Sequence, residues 1–115
     1  MTKKSEELKI SETYLKEMLK ADDAGDFELY VKRYEKKYLK EFTHERFSND
    51  IKYMHESNGL NTGYEFLSTL RNSKVDDLDI YRSVWRGVYE KRDAVIEIGV
   101  YKKNDIWHVI KSAVY

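Results

Sequence analysis

Two short polar breaks, Glu90-Lys91-Arg92-Asp93 and Lys102-Lys103-Asn104-Asp105, cut the last third of the chain into three runs rich in β-branched and aromatic residues. Breaks of this kind predict two successive hairpins, so Leu78 to Tyr115 reads as three antiparallel strands. With Lys91-Arg92 and Lys103-Asn104 as two-residue loops, Trp85 lies opposite Ile98, Gly87 opposite Ile96 and Val100 opposite Trp107. Side chains alternate between the faces of a strand. One face then carries Tyr81, Ser83, Trp85, Gly87, Tyr89, Ala94, Ile96, Ile98 and Val100, and continues through Trp107, Val109, Ala113 and Tyr115. Only Lys111 is out of character there, and this is the predicted core face.

The same register gathers Val84, Arg86, Val88, Val95, Glu97, Tyr101, Ile106, His108 and Ile110 on the other face. Arg86 falls opposite Glu97, a favourable cross-strand pair. A one-residue slip would exchange the two faces, so the pair supports the register. The second face is half apolar, more than a solvated face carries, and it is the predicted face of a homodimer.

The chain before the sheet reads as helix built to cover it. Helix one is predicted from Ser5 to Asp23, with Leu8, Leu15, Met18 and Leu19 in one stripe and Tyr14 beside it. Ser5 is its cap, Glu6 and Glu7 suit its positive end, and Ala24-Gly25 ends it. Asp26 caps helix two, in which Phe27, Tyr30, Val31, Tyr34, Tyr38 and Phe42 recur at helical spacing. Its opposite side carries Lys32, Arg33, Lys36, Lys37 and Lys40. Thr43 caps helix three, with Phe47, Ile51 and Met54 on one face and Asn58-Gly59 as the stop. Tyr64 to Arg71 is a first strand, although YEFLSTL fits a short helix nearly as well. Asn72 to Asp77 is a polar link. The fold class is α+β: three N-terminal helices on a curved, mostly antiparallel sheet of three to four strands, in one domain spanning 1–115.

Composition narrows the function classes. Lys plus Arg and Asp plus Glu number 21 each, so no basic footprint for nucleic acid appears. Cysteine is absent, which excludes disulfides, thiolate metal sites and a cysteine nucleophile. MTKKSEELKI has a basic start without an apolar stretch behind it, and no run approaches the ~20 apolar residues of a membrane span. A cytoplasmic location without membrane contact is the expectation. The five glycines are isolated, so no phosphate loop is expected. His55-Glu56 lacks a second ligand at metal spacing, and no cofactor or metal is expected.

Two stretches carry a resemblance to a known family. Ala21-Asp22-Asp23-Ala24-Gly25-Asp26-Phe27 is similar to the acidic-glycine turn between the first two helices of the nuclear transport factor 2-like superfamily, the cystatin-like cone. Asn104-Asp105-Ile106-Trp107-His108-Val109 resembles its final hairpin, with a tryptophan entering the last strand. The small bacterial members of unknown function look most alike, and the order of elements matches over nearly the whole chain. The resemblance implies a sheet curled around a space closed by helices, and an outer face that often makes a dimer. Enzymes of the superfamily place acids, histidines or tyrosines inside the cone, and other members bind ligands there or fill it. Fold alone does not choose among these.

The candidate pocket on these grounds is Tyr34, His55, Tyr81, Trp85, Tyr89, Trp107 and Tyr115. Small Ser83, Gly87 and Ala94 between large rings leave a hollow, or else the rings are ordinary core with Gly87 allowing a bend. His108, near Glu97, offers a proton-transfer pair or a plain polar contact. No catalytic residue is assigned, because no interior strand position on the core face holds Asp or Glu; an acid from the helices, Asp50 or Glu56, is the remaining source. The expectation is a non-catalytic, homodimeric cone that binds a small apolar or aromatic ligand or a protein partner. The alternatives are a hydro-lyase or isomerase acting inside the cone, and an inhibitor or immunity-type module using the basic face of helix two.

Overall fold

The computed structural model describes residues 5–115; the basic start of the chain, residues 1–4, lies outside them. The elements run α1 Glu6–Ala24, α2 Phe27–Val31, a 3-10 turn Lys36–Tyr38, α3 His44–Asn58, then β1 Asn61–Val75, β2 Leu78–Tyr89, β3 Asp93–Lys103 and β4 Ile106–Val114. The four strands form one antiparallel meander in the order β1-β2-β3-β4. The α+β class and the helices-then-sheet order are as expected.

Local chemistry sets the helix ends. Ser5 Oγ accepts from Leu8 N at 3.2 Å, and Gly25, at φ 66°, closes α1 by donating to the Ala21 and Asp22 carbonyls. Asp26 and Thr43 cap α2 and α3 by accepting from Leu29 N and Arg46 N. Helix two is much shorter than the periodicity predicts. After Val31 the chain turns extended, Val109 N donates to the Arg33 carbonyl at 2.9 Å, and Tyr34 bridges Val109 in parallel. The free edge of β4 offers backbone groups that need partners, and this segment supplies them. The aromatic repeat serves three surfaces: Phe27, Tyr30 and Phe42 pack with Phe47 of α3, Tyr34 points inward to Ser112, and Tyr38 crosses to the outer sheet face.

Each hairpin register differs from expectation by two residues. The β3–β4 turn is Asn104-Asp105, at φ 52° and 63°, and the unforeseen β1–β2 turn is Asp76-Asp77, at φ 49° and 66°. Both loops need two successive positive φ angles, which Asn and Asp tolerate and lysine does not. β1 therefore extends through the segment expected to be a link, and the short-helix alternative for YEFLSTL is excluded. Between β2 and β3 the last pair is Val88–Asp93, so Trp85 meets Ile96 and Gly87 meets Ala94. A shift of two keeps side chains on their faces, which is why the core face survives as far as Val109; beyond it Ala113 lies opposite Glu97, off the expected face.

The expected Arg86–Glu97 pair does not survive. Arg86 lies opposite Val95 and pairs with Glu65 and Asp93, whereas Glu97 takes Arg82 at 3.1 Å and Lys111 at 3.5 Å. Lys111 reaches it because Ile110 is an extra residue, a bulge between the Val100–Val109 and Gly99–Lys111 pairs. The bulge turns Lys111 outward and brings Ser112 inward, opposite Ile98.

The core sits between α1 and the sheet: Tyr14, Leu15, Met18 and Leu19 against Trp85, Ile96, Ile98, Val100 and Val109. Each such side chain contributes about 1.5–3 kcal/mol by burial. Gly87 leaves no hollow here. A Cβ on Gly87 would lie 2.7 Å from Ile96 Cδ1 and 2.8 Å from Tyr89 Cε2, so its missing side chain is space those two already fill.

Candidate functional site

The core face does not hold one pocket. Trp85 and Tyr89 are buried, at 1% and 5% exposure. Tyr81 meets Trp107 edge-on at 5.9 Å toward the open end of the sheet. Tyr34 points into the closed end, where its hydroxyl bonds Ser112. His55 lies on α3 along a groove of about 550 Å³ outside the core, lined by Gly25, Ser48, Lys52 and Lys91, and its Nε2 is buried without a partner. Tyr115, carried past the bulge and off the core face, is 59% exposed. Asp50 is exposed on α3, and Glu56 lines the His55 groove.

At the closed end the structure assembles a polar cluster that strand patterning could not reveal. Ser112 Oγ lies 2.6 Å from Tyr30 Oη and 2.8 Å from Tyr34 Oη, and the two rings stack at 6.4 Å. Asp22, from the last turns of α1, is 6% exposed and shares this space. Burial among Leu15, Met18, Leu19, Ile96 and Ile98 raises its carboxyl to about 8, and the neighbouring Asp23 charge adds to the rise. Burial likewise pushes the Tyr34 hydroxyl up to about 12, against the Ser112 hydrogen bond, which favours ionisation. The Tyr30 and Tyr89 hydroxyls are raised first by burial and then by neighbouring charges, Asp22 among them. Tyr89 Oη is buried without a hydrogen bond, the Asn61 amide lying beside it out of bonding geometry.

The sequence signal for Asp22 was its place in the α1 stripe: Leu15, Met18, Leu19 and Asp22 continue one helical face. The Ala21–Phe27 stretch held the acid, but as a turn motif it hid the side chain's direction. Chemically the cluster holds a proton on Asp22 at neutral pH and offers three hydroxyls. The hollow beside it is about 20 Å³, room for one water molecule.

The outer face is partly covered by the chain itself. Tyr101 is fully buried, with its hydroxyl donating to Glu35, Tyr38 edge-on at 6.2 Å and His108 stacked at 5.3 Å. His108 therefore pairs with Tyr101 and not with Glu97. Tyr38 Oη donates to Asp76 at 2.8 Å and fastens the covering segment to the β1–β2 turn. At the other end Val95 is 45% exposed, with Val84 and Val88 half-buried beside it. Ile110 is half-buried at the bulge, and Ile106 is exposed at the β4 start.

The expected basic face of helix two is not one surface. Arg33 is bound by Glu17 through two hydrogen bonds, at 3.1 and 2.9 Å, and Lys37 lies 3.9 Å from Asp76. The Arg33 guanidinium holds the Glu17 carboxyl below the usual carboxylate range. Among the described residues no three acidic, histidine or cysteine side chains converge as metal ligands. No helix among them is long and apolar enough to cross a membrane. No family model matches the chain, and no curated protein is significantly similar to it in sequence.

Proposed function

We propose that the chain is a non-catalytic binding domain of the cone type, similar in architecture to the nuclear transport factor 2-like superfamily. It self-associates through the uncovered part of its outer sheet face and takes a small apolar or aromatic ligand or a protein partner. The observation that carries this reading is the contrast between the two faces. Around its one buried acid the inner face is packed, with about 20 Å³ left there, whereas the outer face keeps the Val84–Val88–Val95 strip open. The strip is flanked by Arg86, Glu65 and Asp93, charges of both signs that suit a self-complementary rim.

Light scattering on the eluting protein tests the dimer. Val95→Lys, at an exposed position, should weaken dimerisation about 100-fold or more, because two unpaired ammonium groups would be buried across the two-fold. A monomeric wild type, or a dimer indifferent to this charge, overturns the outer-face reading.

One observation favours the enzyme class as a second reading: Asp22 with Tyr30, Tyr34 and Ser112 is a buried acid beside hydroxyl donors. A hydro-lyase or isomerase there needs the helices to move apart, since the hollow admits no organic substrate. Turnover of an α,β-unsaturated carbonyl compound, lost in Asp22→Asn, would establish it.

A further inference from the structure

At the open end of the core face, the first turns of α1 stand away from β1 and β2. A cleft of about 270 Å³ opens between them, lined by Leu8, Ser11, Thr69, Leu70, Tyr81 and Ser83. Of these, only Tyr81 belongs to the pocket expected from sequence. Two serines make its floor, and each is 2% exposed. Ser11 Oγ makes no hydrogen bond to another described residue and is not one of the buried unpartnered atoms, so it is open to a partner from the cleft that Ser11 lines. Ser83 Oγ accepts the indole hydrogen of Trp85 at 2.9 Å, which leaves its own proton free to donate. Leu8, Leu70 and the Tyr81 ring are the apolar part of the cleft wall, and Ser5, Thr69 and Asn72 the polar part.

Charge is kept from the floor. Arg82 lines the cleft but its guanidinium is engaged by Glu97 at 3.1 Å and by the Arg71 carbonyl. Glu7 stands at the rim beside a second recess that holds Glu6, Asp77 and Asp79, where Lys102 pairs with Glu6 at 3.5 Å. An anion would meet these carboxylates and find no unpaired cation lining the cleft among the described residues.

We infer that this cleft binds a small uncharged molecule, one ring or its aliphatic equivalent in size, whose single carbonyl or hydroxyl oxygen is received by Ser11 and Ser83. The assignment rests on the binding-domain reading and names the ligand class. A volume just below the usual range for drug-sized ligands fits a single ring, and the apolar surface of Leu8, Leu70 and Tyr81 beside uncharged hydroxyls suits a ring with one polar atom. The Trp85 indole hydrogen is bonded to the floor, so it reports occupancy directly.

The test is a ¹H–¹⁵N titration of the full chain with benzamide, with benzoate as its charged counterpart. Benzamide should shift the Trp85 indole and Ser83 amide resonances with millimolar affinity, and benzoate should bind about tenfold more weakly. Ser11→Ala, which keeps the room and removes the hydroxyl, should weaken benzamide about fivefold. Leu8→Trp, which fills the cleft from its wall, should abolish the shifts. Benzamide shifts that avoid Trp85 and Ser83, or that are unchanged by both variants, overturn the assignment. The mass of the protein in solution is read separately, so a dimer with a silent cleft discards the cleft alone, and a monomer discards self-association alone.

Discussion

Asp22→Asn should stabilise the protein at pH 7 to 8 by about 3 kcal/mol, a rise of about 10 °C or more in the melting midpoint. The folded chain holds the Asp22 proton up to about pH 8, whereas the unfolded chain releases it near the ordinary aspartate value of 3.8. Between those limits the folded state binds the extra proton. The Asp22 contribution is therefore harmless below pH 4, grows more unfavourable as pH rises, and levels off above pH 8. Asparagine imitates the protonated acid and removes that slope. Asp23 on α1, Tyr30 and Tyr34 after it, and Tyr89 on β2 face the carboxyl, and Arg92 bears on Tyr89; these set the plateau's position. Glu17, held low by Arg33, contributes the opposite slope at acid pH, so the comparison is made as a difference between variant and wild type across pH 4 to 9. Equal slopes for the two proteins would mean that water reaches the carboxyl.

Ser112→Ala should cost about 2–4 kcal/mol, because one truncation strands two hydroxyls, those of Tyr30 and Tyr34. Removing the stranded groups as well, in the triple variant with Tyr30→Phe and Tyr34→Phe, should recover most of that loss. The deficit of the single variant is the burial of unpaired oxygen, and the triple variant has none to bury. Denaturant midpoints for the three proteins decide it. A single-variant loss below about 1 kcal/mol would mean the hydroxyls find water instead.

Much of this architecture was legible because the signals were local and mutually consistent. Ser5, Asp26 and Thr43 cap helices where they stand, Gly25 stops α1, and the period-two pattern of β2 and β3 marks the core face. The misread parts share one cause: backbone demands from distant segments. Lysine seemed as good a loop residue as its neighbours until the positive φ angles at Asn104 and Asp105 required residues that tolerate them. Helix two stops because the edge of β4 takes its backbone, although its aromatic spacing is helical throughout. Lys111 looked like an error in the core face, and the bulge at Ile110 resolves it by sending the ammonium to Glu97.

The functional residues were less legible for a related reason. Asp22 stands in a turn motif that says nothing of where its side chain points; it is one more member of a helix stripe whose burial depends on how closely α1 meets the sheet. Ser11 carries no sequence signal, since a serine on a helix face is ordinary until the cleft in front of it is known, and Ser83 on β2 stands out only as a small residue between large rings. The aromatic members of the candidate pocket share a face by pattern, and position along the strands separates them: Tyr81 and Trp107 toward one end, Tyr89 and Tyr34 elsewhere, Tyr115 past the bulge.

The claim on which the functional reading depends is that the inner face is closed around Asp22, with room for one water at most, which directs the proposal to the cleft and the outer face. The direct measurement is the ¹³C chemical shift of the Asp22 carboxyl followed from pH 3 to 10. A midpoint near 8 is the expected result, from a carboxyl kept from water by α1 and the sheet. A midpoint below 5 would show a solvated acid inside an open cone, and would move the function to Asp22, Tyr30 and Tyr34.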